Sequence, residues 1–212
     1  MCGIVGYAGK DNCIPKIISG LESLEYRGYD SAGIAYQDKK KIVIKKEQGR
    51  ISNLKTKLDK NTESKIGIGH TRWATHGKPC KENSHPHKVG RITVVHNGII
   101  ENYENLKKEL KEYKMSSETD SEVIAALIDK LYNEKKDMLK VLSMLKDYVI
   151  GSYALGILVD NDNTLYAIRK DSPLIIGVSE TGNFIASDVP AILEYTNMYY
   201  LIENNEFASI NS

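Results

Sequence analysis

The chain has 212 residues, 41% of them apolar and 27% charged, which are the proportions of a globular fold rather than a disordered or fibrous one. Its 29 lysines and arginines offset 28 acids to leave +1, so no net field draws it to nucleic acid or to an anionic membrane, and neither partner is expected. No run approaches the roughly 20 apolar residues that cross a bilayer. No charged-then-apolar leader opens the chain, and three cysteines (Cys2, Cys13 and Cys80) are an odd count for a disulfide framework. A cytoplasmic protein with free thiols is the expectation.

In chain order, Cys2-Gly3-Ile4-Val5-Gly6-Tyr7 reads as a strand that begins almost at the terminus. Ile14, Ile17, Ile18, Leu21 and Leu24 recur at helical spacing and predict an amphipathic helix over 14–25. A loop at 26–31 precedes strands near 32–37 and 41–46, a helix at 52–58, and short apolar strand runs at 66–70 and 92–96. Helices are predicted at about 102–112, 120–133 and 137–147. The last third returns to strands, at 152–159, 164–169, 174–178, 183–187, 199–202 and 206–210, separated by turn clusters such as Asp160-Asn161-Asp162-Asn163. Strands first, helices next and strands last predict an α+β fold of stacked antiparallel sheets with helices outside. Without a repeat or a linker, residues 1–212 read as one domain.

Four local features carry chemistry. Met1 is generally trimmed before a side chain as small as that of Cys2. The mature terminus would then join a thiol, reference pKa about 8.5, to an α-amine near 7.7–8.0, so a nucleophile and its base come from one residue. All five histidines (His70, His76, His85, His87 and His96) fall between 70 and 96, interleaved with Arg72, Trp73, Asn83 and Asn97. So dense a polar stretch between two strand runs points to a site. Cys80, His85 and His87 could be read as zinc ligands, but their spacing fits no closed zinc pattern, and no metal is expected. In Val94-Val95-His96-Asn97-Gly98 an apolar strand ends in an amide and a residue without Cβ. Such a pair is able to donate to an oxyanion, and is equally a common tight turn. In Ser117-Glu118-Thr119-Asp120 either Thr119 or Asp120 could cap the next helix, while Asp120 could instead face a cleft and bind an ammonium group.

These pieces, in this order, resemble the glutaminase domain of the glutamine–fructose-6-phosphate aminotransferases, within the class II glutamine amidotransferases. The likeness rests on Cys2-Gly3-Ile4-Val5-Gly6, on the stretch from Leu24 to Gly33, on His70-Thr71-Arg72-Trp73-Ala74-Thr75-His76-Gly77 and on Asn83-Ser84-His85-Pro86-His87. It continues through Val95 to Asn102, Ser117 to Asp120 and Phe184 to Asp188. The resemblance implies a four-layer αββα sandwich of the N-terminal-nucleophile hydrolase type, with no cofactor. It assigns nucleophilic attack on L-glutamine to Cys2 and the oxyanion hole to Asn97 and Gly98. Arg72, Thr75 and His76 would hold the α-carboxylate, and Asp120 with the Gly98 carbonyl the α-ammonium. Trp73 would gate the ammonia path, and Arg27 would line the nucleophile's pocket. Enzymes of this kind continue into a sugar-phosphate isomerase domain and are expected to be homodimers. A chain that stops at Ser212 is therefore expected to be a fragment or an isolated domain. The alternative is a glutaminase that feeds another acceptor, as in phosphoribosyl amidotransferases.

Overall fold

The computed structural model describes residues 2–73, 78 and 80–211. Among the described residues, twelve strands and five α-helices follow in the order β1 (Gly3–Gly9), α1 (Cys13–Ser23), β2 (Ser31–Asp38), β3 (Lys41–Gln48), α2 (Ile51–Lys55), β4 (Ile66–Arg72), β5 (His87–Val89) and β6 (Ile92–Ile100). Then come α3 (Tyr103–Glu109), α4 (Asp120–Lys135), α5 (Met138–Tyr148), β7 (Gly151–Val159), β8 (Thr164–Lys170), β9 (Ile175–Ser179), β10 (Gly182–Ala186), β11 (Tyr199–Leu201) and β12 (Phe207–Asn211). One sheet has the order β11-β9-β10-β1-β4-β2-β3 and the other β12-β8-β7-β6-β5. Every ladder between these strands is antiparallel.

Strand alternation builds the layers. In β7, Tyr153, Leu155, Ile157 and Val159 pack with residues of α4 and α5, whereas Ala154 and Leu158 face the other sheet. In β1, Val5 and Tyr7 pack against Ile14, Ile17 and Leu21 of α1, while Ile4 and Ala8 meet Val95, Leu165 and Ile185 between the sheets. Helix, sheet, sheet and helix therefore stack in the expected αββα order. Among the described residues no helix is long and apolar enough to cross a membrane.

Most element boundaries fall within a few residues of the sequence reading. α1 ends at Ser23, two residues before the expected end, and Glu25–Arg27 closes as a 3-10 turn across the expected boundary between helix and loop. The first helical turn after 50 ends early, at Lys55. The larger correction concerns β6. The sequence reads it as ending near 96 with a possible Asn-Gly turn, but it runs to Ile100 and pairs Asn97 with Ala154 and Gly98 with Tyr153. Gly98 sits at φ 137°, and a Cβ there would lie 2.1 Å from the Ser152 carbonyl oxygen. Only glycine lets the two strands stay together at this point. Gly98→Ala is expected to cost about 3 kcal/mol or more, from backbone strain plus the clash. Urea unfolding checks this.

Candidate active site

The same alternation aims the chemistry. Residues 66, 68 and 70 of β4 and 93, 95 and 97 of β6 point between the sheets, so His70 and Asn97 face one another at the end of the inter-sheet core. Cys2 lies just ahead of β1, in register with inward-facing Ile4. Its carbonyl oxygen accepts a 3.0 Å hydrogen bond from Asn97 Nδ2. The other end of the amide, Oδ1, lies 3.0 Å from His70 Nε2.

The Cys2 thiol is cradled by backbone. Trp73 N–H donates to Sγ at 3.3 Å, and Sγ lies 3.7 Å from the Trp73 carbonyl oxygen. Burial pushes the thiol above its ordinary value, outweighing the Trp73 N–H and the Arg72 charge, which pull it down. The resting thiol is therefore protonated at neutral pH and needs a base to act as a nucleophile. Gly28 allows this arrangement by close approach, because a Cβ there would meet the Trp73 nitrogen at 2.7 Å.

Two cavities meet at Cys2. The first is lined by Cys2, Arg72, Trp73, His85, His96, Gly98, Thr119, Asp120 and Ser121. At about 40 Å³ it is the smaller of the two. The second, about 240 Å³, is lined by Cys2, Arg27, Asn97, Gly98, Ile99, Ser152, Ser172 and Pro173. A larger surface groove of about 630 Å³ near Lys16, Val178 and Tyr195 contains none of the candidate residues.

Arg72, almost fully buried, donates from Nη1 to the Lys78 carbonyl at 3.4 Å. Asp120 opens α4, and its Oδ2 accepts from Ile100 N at 2.9 Å. The capping ambiguity resolves in favour of Thr119, whose hydroxyl accepts from Glu122 N. That leaves Asp120 in the first turn with an edge on the cavity. Glu122 returns to accept from the backbone and hydroxyls of Ser116 and Ser117, which fixes the loop before α4. Arg27 lies on the far side of Cys2, paired with Asp188 at 2.9 Å and donating to the Ser187 carbonyl. The side chain of Trp73 is exposed and edge-on to Tyr29, with ring centroids 5.8 Å apart. Thr75 and His76 lie outside the described residues.

Of the clustered histidines, His70, His85, His87 and His96 are buried rather than spread over a polar surface. The His70 and His85 rings lie 4.0 Å apart, tilted by 33°, and His85 meets His87 edge-on at 4.7 Å. Burial holds His70 down at about 3 and pushes His85 and His87 well below the ordinary imidazole range. All three are neutral. Cys80, His85 and His87 are not gathered into a metal-binding group among the described residues. Two contributions escaped the sequence reading: the Trp73 backbone N–H at the sulfur and the contact from His70 to Asn97. The histidine cluster signalled the second only in outline.

A cysteine heading an inner strand of an αββα sandwich, with an asparagine amide on its carbonyl, is the framework of the N-terminal-nucleophile amidotransferases. The glutamine amidotransferase domain profile matches residues 70–194, and the chain belongs to that family. It is 52% identical over 99% of its length to the glutamine–fructose-6-phosphate aminotransferase (isomerizing) of Caldanaerobacter subterraneus subsp. tengcongensis, covering 35% of that protein. It is 48% identical to the protein of the same name from Aquifex aeolicus, of which it covers 36%. The chain thus spans about a third of the length of these curated relatives. Among solved structures, the glutamine phosphoribosylpyrophosphate amidotransferase from B. subtilis superposes with a TM-score of 0.85 at 26% identity, over 100% of this chain and 47% of that one.

Proposed function

We propose that residues 1–212 work as one glutaminase domain that converts L-glutamine to glutamate and ammonia through a thioester on Cys2, with no cofactor. After removal of Met1, the α-amine of Cys2 takes the thiol proton as sulfur attacks the side-chain amide carbon. The tetrahedral oxyanion is met by the Asn97 amide and the Gly98 backbone. The amine returns its proton to the departing ammonia, and water then cleaves the thioester. Arg72 holds the α-carboxylate, together with Thr75 and His76. Asp120 holds the α-ammonium, Trp73 gates the ammonia path and Arg27 walls the nucleophile's pocket. The observation that carries this reading is the placing of the Cys2 sulfur 3.3 Å from the Trp73 N–H, in one cavity with Arg72, Gly98 and Asp120.

The ammonia is proposed to aminate fructose 6-phosphate, giving glucosamine 6-phosphate, in a sugar-phosphate isomerase domain of the same full-length chain. About 50% identity to the aminotransferases supports this acceptor over a phosphoribosyl one, for which the likeness is 26%. The full-length enzyme is proposed to be a cytoplasmic homodimer, and the required free thiol suits a reducing compartment.

The test is glutamate release by protein with a free Cys2 terminus, compared with protein that keeps a blocked one. Activity only in the former supports the mechanism; equal activity in both overturns it. Arg72→Lys replaces a planar two-pronged donor with a point charge. It should raise KM for glutamine about 10- to 100-fold and change kcat far less, as steady-state kinetics will read.

A further inference from the structure

We infer that His70 is a positioning residue that locks the Asn97 amide in the orientation an oxyanion donor requires; this rests on the glutaminase reading above. His70 Nε2 lies 3.0 Å from Asn97 Oδ1 and 3.1 Å from the His96 carbonyl oxygen. The His96 carbonyl can only accept, so Nε2 carries the ring proton and shares it between two oxygens. The Asn97 atom facing it must then be the carbonyl, which turns the amide NH2 toward Cys2. That assignment is satisfied independently at the other end, where Nδ2 donates to the Cys2 carbonyl at 3.0 Å. One amide hydrogen is used there. The second remains for a substrate oxygen in the cavity that Cys2, Asn97 and Gly98 share.

The ring is suited to this task. It is 1% exposed and packed against the His85 ring, so it cannot swing away from Asn97 without disturbing the core. Its Nδ1 is buried without a hydrogen-bond partner among the described residues, so nothing there competes for the proton. In this tautomer Nε2–H can only donate, to Asn97 Oδ1 and the His96 carbonyl. Without it, the Asn97 side chain could flip its oxygen toward the reacting centre, where it would repel the developing negative charge instead of stabilising it.

The test is a double-mutant cycle with two chemically different readouts. His70→Phe keeps an aromatic ring for His85 and removes the donor. It is expected to lower kcat for glutamine hydrolysis about 10- to 100-fold while moving KM less than about threefold. His70→Gln, which retains an N–H donor, should recover part of the loss. Added to Asn97→Ala, which alone should cost on the order of 10²- to 10³-fold, His70→Phe should have no further effect. Alkylation of Cys2 by iodoacetamide, which forms no oxyanion, should proceed at the wild-type rate in both His70 variants. Nitrogen-15 NMR of the wild-type imidazole should find the Nε2–H tautomer throughout pH 6 to 9, a measurement that requires no variant to fold. An equal loss from His70→Phe with and without Asn97, an unchanged kcat, or an Nδ1–H tautomer would each overturn the inference. Cys2→Ala separates the two levels. Activity surviving that change defeats the reading of the site, whereas activity lost with Cys2 but indifferent to His70 defeats only the positioning role.

Discussion

Cys2→Ala is expected to lower glutamine hydrolysis on the order of 10⁴-fold or more, while glutamine still binds. Removing an attacking group takes away the covalent route, whereas oxyanion donors and substrate anchors still supply a remnant of the rate. The structure sharpens this expectation, because the candidate anchors Arg72 and Asp120 hydrogen-bond to backbone groups of Lys78 and Ile100. Calorimetry should therefore find glutamine affinity within about threefold of the parent protein, the binding contacts being left in place. Cys2→Ser should fare little better than alanine, since a hydroxyl is far harder for an α-amine to deprotonate than a thiol. A loss of less than about tenfold in either variant would mean that some other group attacks.

Acid should markedly lower the stability of the folded protein. His70, His85 and His87 are neutral in the folded chain because burial depresses each of them, His70 to about 3. In the unfolded chain they titrate near 6.5. Below that value the unfolded state binds more protons, so stability is complete above about pH 6.5 and falls as the pH drops toward the folded values. By pH 5 His70 alone contributes about 2 kcal/mol of destabilisation, and His85 and His87 act in the same direction. The His70 contribution alone should lower the unfolding temperature by about 4–8 °C between pH 8 and pH 5. A temperature that stays level over this range would show that burial does not hold the imidazoles neutral.

The fold was largely readable because the apolar runs of β1, β6 and β7, buried on both faces over most of their length, and the helical spacing in α1 mark the core. What escaped detection depended on partners distant in sequence. Asn97-Gly98 has the composition of a turn, and only the pairing of β6 with β7, with the Ser152 carbonyl filling the place of a Cβ, keeps it extended. β5 is three residues long and follows Pro86, too short for a periodic pattern to stand out. In the site, residue types and their order nominated Cys2, Asn97, Gly98 and Asp120, whereas the roles of Arg72 and Arg27 came only with the resemblance. Cys2, Arg72, Gly98 and Asp120 line one cavity and Cys2, Arg27, Asn97 and Gly98 the other; Arg27 is also paired with Asp188. The role of the Trp73 backbone could not be seen in its side chain, since any residue there carries an N–H. The bond from His70 to Asn97 arises from the parity of two strands in different sheets, information that no single stretch of sequence contains.

Acid-quenched intact-mass spectrometry during turnover tests the central chemistry most directly. With Met1 removed and glutamine in excess, a fraction of the protein should carry a glutamyl group, released by neutral hydroxylamine, mapped to Cys2 and absent from Cys2→Ala. Turnover in which no such adduct accumulates, even in a variant slowed at thioester hydrolysis, or an adduct mapped to Cys13 or Cys80, would contradict the account.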